Sequence, residues 1–263
     1  MPEGHTIHRY ARLHRGALGG LPLRVSSPQG RAVAAAEALD GRRIEAVDAF
    51  GKHLIYRFSG DLAFHVHLGL YGRFRAHREP VPPPRGAVRI RFDAGVRAVD
   101  LSGATASELF SPDQEERLLA RLGPDPLRPD ADPDRAFADL KRRRIPISAA
   151  LLDQTVIAGI GNVYRAEILF ACGIRPSLPS KNLSRPRFDA IWETTVAMLR
   201  LGERSGRIVT VPASEADGAP SRLKGRDRVQ VYRRERCRRC GGPVRSKQVA
   251  ARTLWWCPNC QRR

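Results

Sequence analysis

Four of the five cysteines of this 263-residue chain fall in its last 27 residues, as Cys237-x2-Cys240, a gap of 16 residues, and Cys257-x2-Cys260. Each Cys-x2-Cys step offers two sulfurs from one tight turn, and Gly241-Gly242 and Pro258-Asn259 supply the turn chemistry. This spacing is that of a structural site in which four thiolates hold one Zn2+. It dictates a small, metal-closed module at the C-terminal end. Disulfides are the alternative, and a reducing cytosol disfavours them. Cys172 lies in the apolar run Ile168-Leu169-Phe170-Ala171-Cys172 and reads as a small core residue.

The charge is one-sided. Lys and Arg number 46 against 27 Asp and Glu, for a formal net charge of +19. That balance calls for a polyanionic partner, and nucleic acid suits it better than an acidic membrane. No apolar run approaches the ~18 residues of a membrane span, and no basic-then-apolar signal opens the chain. The expectation is a soluble, cytoplasmic protein. The tail is the most basic part. Between Arg222 and Arg263 there are 14 Lys or Arg and two acids, Asp227 and Glu235. A rigid zinc ribbon carrying that charge makes a better phosphate clamp than a floppy tail.

Hydrophobic periodicity divides the chain. Residues 3–18 carry Ile7, Tyr10, His14 and Leu18 at helical spacing, and Gly19-Gly20 stop the helix. From about 21 to 110 the pattern turns to short alternating runs, among them 43–47, 53–58, 63–68 and 88–92, punctuated by Gly, Pro or Asp. The expectation is an N-terminal β-sandwich with one N-terminal helix over residues 1–122. Val81-Pro82-Pro83-Pro84 reads as a loop. The Pro-rich stretch 123–133 is expected as a linker. Helical patterns fill 134–229: one near 134–141 capped by Asp132 with Pro133 at its first position, then 147–152, 163–172 and 188–201. Residues 203–228 show no clear period. The zinc module takes 230–263, with a β-hairpin over 251–257 that projects Arg252 and packs Trp255 and Trp256 into the module core.

Three short features carry chemistry. If Met1 is removed, Pro2 presents a free secondary amine. An α-amino group has a pKa of about 7.7–8, so part of it is neutral at cellular pH and nucleophilic without a triad. Such an amine forms an iminium with a sugar carbon or aldehyde, and Glu3 beside it suits general acid/base work. Taken alone, Met-Pro-Glu also reads as an ordinary helix start. Gly51-Lys52-His53, at the entry to an alternating strand, reads alone as a surface turn. Gly159-Ile160-Gly161-Asn162 either reverses the chain or lets backbone N–H groups and the Asn162 amide approach a phosphate.

Taken in order, the start Pro2-Glu3-Gly4, the Gly51-Lys52-His53 turn, the run from Asp153 to Phe170 and the ending Cys-Pro-Asn-Cys-Gln resemble the formamidopyrimidine-DNA glycosylase/endonuclease VIII (Fpg/Nei) family over essentially the whole chain. The likeness is greatest to its actinobacterial endonuclease VIII branch. It implies a two-domain α+β fold: a catalytic β-sandwich, then a helical domain with a helix–two-turns–helix motif and a four-Cys zinc-finger hairpin. It further implies that Pro2 is the nucleophile at C1′ of a damaged nucleotide, Glu3 the acid/base, and Lys52 a phosphate and sugar contact. Asn162, Arg252, His67 and Tyr232 would hold phosphates. Leu70 and Tyr71 would fill the gap left by a flipped base, an event that exposes C1′.

The implied activity is a bifunctional DNA glycosylase/AP lyase of base-excision repair acting on oxidised pyrimidines and abasic sites. Its partner is damaged DNA (duplex, bubble or single-stranded), its cofactor one structural Zn2+ with no organic group, and its state a monomer. Two alternatives stand: the same chemistry on 8-oxoguanine or formamidopyrimidine, and a non-catalytic zinc protein that marks lesions. Two positions depart from the family pattern. Thr6 stands where many relatives carry Glu, and Gly69 where some endonuclease VIII proteins carry a larger polar residue.

Overall fold

The computed structural model describes residues 2–216 and 218–262. The chain divides into two compact units, one formed by residues 1–3 and 7–121, the other by 4–6 and 122–263.

Helix α1 spans Gly4–Leu18; from Ile7 onward it belongs to the first unit, and its C-terminal end is closed by the Gly19 N–H bonding to Arg15 O. Eight strands follow: β1 (Arg24–Ser26), β2 (Ile44–Phe50), β3 (His53–Phe58), β4 (Leu62–His67), β5 (Arg73–Arg78), β6 (Val88–Asp93), β7 (Arg97–Ser102) and β8 (Ala106–Phe110). They form two four-stranded antiparallel sheets, ordered β2-β3-β4-β8 and β1-β6-β7-β5. Side chains alternate across each strand, so Leu54, Tyr56, Phe64 and Val66 of one sheet meet Ile90, Phe92, Val99 and Leu101 of the other in a single core. Ring contacts cross that core, Tyr56 to Phe92 at 5.2 Å and Phe64 to Phe92 at 5.8 Å. The sandwich with its N-terminal helix is as expected. Two helices have no counterpart in the periodicity reading. They are α2 (Val33–Leu39), rich in alanine, and α3 (Pro112–Arg121), where only Leu118 is buried.

The second unit contains α4 (Pro133–Arg142), α5 (Ile147–Ala150), α6 (Asn162–Ala171) and α7 (Arg185–Ser205). The Asp132 carboxylate caps α4 by accepting from the N–H of Asp134 at 2.9 Å and of Arg135 at 3.1 Å. Residues 123–126, expected as linker, are buried here. Gly123 N–H bonds to Gln154 O and Ala158 N–H to Pro124 O. Helix α6 is buried on every side from Asn162 to Phe170. One side meets the helical core around Ile157, Phe188 and Leu199; the other, through Ala166 and Phe170, meets Val231, Leu254 and Cys257 of the zinc module. Residues 213–228 contain three short 3-10 turns, which explains their lack of period. The module itself is the hairpin β9 (Arg245–Val249) and β10 (Arg252–Trp256).

Candidate functional site

The zinc ligands come together as the spacing requires. The four Sγ atoms of Cys237, Cys240, Cys257 and Cys260 all lie within 4.8 Å of one another. Two pairs measure 3.9 Å (Cys237–Cys260) and 3.5 Å (Cys240–Cys257). Zn–S bonds of about 2.3 Å in a tetrahedron put sulfurs about 3.8 Å apart, so the four residues fit one Zn2+.

Helix α6 organises what surrounds this module. Asn162, the first residue of α6, is 6% exposed. Its Nδ2 donates to Thr253 O of β10 at 2.9 Å, and its Oδ1 accepts from the Arg165 guanidinium. Arg165 is fully buried and also donates to Ser148 O at 3.3 Å and Val249 O at 3.2 Å. One guanidinium thus joins α5, the start of α6 and both strands of the hairpin. Arg252 is exposed at the start of β10, directly after the left-handed Ala250-Ala251 turn.

One turn further along α6, the buried Glu167 carboxylate accepts from Thr210 Oγ1 at 2.5 Å and from the N–H groups of Gln230, Val231 and Tyr232 at 2.7, 2.9 and 2.8 Å. Burial pushes its pKa up, and the four donors oppose that shift. This nest fixes the backbone at Tyr232, whose ring meets Trp255 edge-on at 4.7 Å. The Trp pair therefore splits. Trp256 packs on the module core beside Leu254, whereas Trp255 faces Tyr232 and the Arg233 guanidinium. Consecutive strand residues point to opposite faces, so both could not enter the core as expected. Gln154 holds the turn before α6, donating to Leu152 O and Ile160 O and accepting from Gly159 N–H. Gln154, Arg165 and Glu167 lie within the run from Asp153 to Phe170, and none of them stands among the site residues expected from the sequence. A polar residue in an apolar helix was the available signal.

In the first unit, Gly51 and Lys52 form the two-residue turn between β2 and β3, with Gly51 at φ +60°. His53 pairs with His67 across β3–β4, their rings 4.9 Å apart, and His53 Nδ1 lies 2.9 Å from His65 Nε2. Burial, then the neighbouring His65, His67, Arg121 and Lys52, lowers the His53 pKa to about 3. Burial and then Lys52 lower that of His67. Lys52 therefore stands beside imidazoles held neutral. Glu3 is 1% exposed and precedes the first turn of α1.

Leu70 and Tyr71, in the β4–β5 loop, are 51% and 84% exposed. Two adjacent large side chains held out in water signal an interaction surface. Gly69 explains its own departure from the expected pattern. It sits at φ +65°, and a Cβ there would stand 1.9 Å from Thr105 Oγ1, so a larger residue would need a strained left-handed backbone and a shift of the Thr105 side chain. Among the described residues, no helix is long and apolar enough to cross a membrane.

Comparison with known proteins follows the same division. The formamidopyrimidine-DNA glycosylase N-terminal domain matches residues 1–104, the formamidopyrimidine-DNA glycosylase H2TH domain residues 122–212, and the zinc finger found in FPG and IleRS residues 234–263. The chain is 46% identical to Endonuclease 8 1 of Mycobacterium bovis, covering 99% of this chain and 100% of the relative. Endonuclease 8 of Klebsiella pneumoniae is 32% identical over 99% and 100%. Formamidopyrimidine-DNA glycosylase of Halorhodospira halophila is 31% identical over 98% and 93%. The fold matches the Lactococcus lactis Fpg structure in complex with N7-benzyl-Fapy-dG DNA at a TM-score of 0.82, 24% identity and full coverage of both chains.

Proposed function

Because the chain belongs to the formamidopyrimidine-DNA glycosylase/endonuclease VIII family, a family of DNA glycosylases with abasic-site lyase activity, we propose that it excises oxidised pyrimidines and cleaves abasic sites through Pro2. The end-to-end likeness to the mycobacterial endonuclease 8, stronger than that to the formamidopyrimidine-DNA glycosylase, carries the substrate class.

The mechanism follows from the residues. With Met1 removed, the neutral Pro2 amine attacks C1′ of the flipped nucleotide, and the base departs with a proton supplied from Glu3 or water. Ring opening gives an iminium between Pro2 and C1′. The iminium acidifies the C2′ proton; its loss expels the 3′ phosphate (β-elimination). A second elimination expels the 5′ phosphate. Water then hydrolyses the iminium, releasing the sugar fragment and restoring the amine. The iminium is the electron sink, so the Zn2+ takes no part in these steps. Lys52, His67, Asn162, Tyr232 and Arg252 hold phosphates, and the cationic ones among them keep the Pro2 amine neutral. Leu70 and Tyr71 fill the vacated stack and offset part of the unstacking cost. His67, held neutral, would serve as a hydrogen-bond donor and not as a charge. The protein would act as a cytoplasmic monomer on nucleoid DNA, in duplex, bubble or single-stranded form.

The test is borohydride trapping on oligonucleotides bearing an abasic site, thymine glycol or 8-oxoguanine, with the adduct mapped by mass spectrometry. An adduct at Pro2, most abundant for thymine glycol over 8-oxoguanine, is expected. Tight binding with no adduct from an unblocked N-terminus would overturn the catalytic reading.

A further inference from the structure

The proline loop read from the sequence forms one wall of a pocket that the proposed function does not use. It lies in the first unit, on the outer face of the β1-β6-β7-β5 sheet. It measures about 300 Å3, and Arg73, Arg75, His77, Pro82, Arg85 and Asp100 are among its lining residues. Arg73, Arg75 and His77 alternate along β5 and so share one face.

The acid in this lining is already spent. Asp100 is 4% exposed and accepts from Arg91 Nε at 2.6 Å, from Arg91 Nη2 at 2.9 Å and from His77 Nε2 at 2.9 Å. Arg91 also donates to Pro82 O at 2.8 Å, which ties the proline loop to the sheet. Arg73, Arg75 and Arg85 are each exposed. Arg73 and Arg75 take part in the β5–β7 ladder through their backbone, but none of the three side chains makes a hydrogen bond or ion pair among the described residues. Three exposed guanidinium groups that line one pocket, where the carboxylate of Asp100 is already engaged by Arg91 and His77, repel one another, and an anion relieves that repulsion. No Phe, Tyr or Trp lines the pocket, so it offers no platform to stack a base. Its chemistry fits phosphate oxygens, which arginine grips with paired N–H donors.

The position of the pocket favours one source of phosphate. Strand β5 begins at Arg73, two residues beyond Tyr71 of the loop assigned to the flipped-base gap. We propose that this face is a second phosphate-binding site, taking the backbone of DNA that extends beyond the stretch held around the lesion. The inference rests on the DNA-repair reading above and deepens it. The three arginines would add affinity and retention on long DNA without touching the chemistry.

The test uses the full chain and its triple variant Arg73→Gln, Arg75→Gln, Arg85→Gln. Binding is measured against salt on a minimal lesion duplex and on one several times longer. Each phosphate contact contributes about 0.9 to the slope of log K against log salt. The expected result is a slope lower by about 2–3 on the long duplex alone, with the short-duplex slope and the borohydride adduct unchanged. The Arg→Lys triple variant, which keeps the charge, should retain most of the long-duplex slope and so separates loss of charge from loss of fold. An unchanged long-duplex slope would overturn the proposal, and so would equal losses on both lengths. A wild-type protein that forms no adduct would instead defeat the proposed function, and the two slopes would still decide the surface.

Discussion

Gly4 donates its backbone N–H to the carbonyl oxygen of Gly159 at 2.9 Å, and a methyl group on Gly4 would stand 2.9 Å from the Gly159 Cα. The first turn of α1, two residues past Pro2, is therefore held by the glycine turn that precedes α6. Gly4 does not tolerate a side chain there, because the atoms in the way are backbone. Gly159 also sits at φ +95°.

Gly4→Ala should push this contact apart. Overpacking of this kind costs about 1–3 kcal/mol. Displacing a reacting group by about 1 Å lowers rate on the order of 100-fold. Thermal unfolding and the rate of borohydride-trapped adduct should both fall. A variant with a normal trapping rate would show that the Gly4–Gly159 contact does not position Pro2.

Removing one zinc ligand, as in Cys257→Ser, should release the metal and loosen the hairpin that carries Arg252. The binding energy of a structural zinc is folding energy, about 10–16 kcal/mol in isolated finger peptides. Purified wild-type chain should contain one zinc, and chelation should abolish lesion-DNA binding. Metal-free protein with full affinity would rule out the structural zinc.

Arg165 and Arg252 should separate stability from DNA contact. Arg165→Met strands buried carbonyls and the Asn162 side chain, at about 1–3 kcal/mol for each unsatisfied group, and should lower the unfolding midpoint in denaturant. Arg252→Ala alters an exposed side chain. It should leave that midpoint nearly unchanged while reducing the salt slope of lesion-DNA binding by about 1. Equal salt slopes for wild type and Arg252→Ala would remove Arg252 from the phosphate contacts.

Acid should weaken the first unit through its neutral histidines. Burial lowers His14 and His53 to about 3 and His65 to about 4, from 6.5. A depressed folded-state pKa gives stability that is present above 6.5 and lost as pH falls toward 4, because the unfolded chain binds protons that the native one refuses. Each histidine contributes a slope of at most about 1.4 kcal/mol per pH unit. His14, bonded through Nδ1 to Tyr56 Oη at 2.6 Å, offers the cleanest test. In His14→Gln the slope of unfolding free energy between pH 6 and 4 should shrink by about that amount. An undiminished slope would mean that native His14 takes up the proton.

Much of the architecture was legible because its signals are local. Asp132 with Pro133 announces the start of α4, and the alternation from His53 to Phe58 matches β3 residue for residue. The cysteine spacing announces the metal cluster. Helices α2 and α3 were not legible, since one is short and alanine-rich and the other mostly solvated. Residues 123–126 read as linker because Gly and Pro mark turns. Yet Gly123 is packed so tightly that a Cβ would lie 2.5 Å from the Val156 backbone.

The sequence alone determined which groups the chain possesses: the Pro2 amine, the four thiolates, the excess of arginine, and the period of each strand and long helix. These follow from covalent order and near-neighbour geometry. Only the tertiary structure decided what those groups are paired with. It spent Asp100 on Arg91 and left Arg73, Arg75 and Arg85 unmatched. It turned Trp255 away from the core and Trp256 into it. It placed Arg165 where a single buried guanidinium must satisfy carbonyls from three elements. Pairing and burial depend on residues far apart in the chain, and a one-dimensional pattern does not carry them.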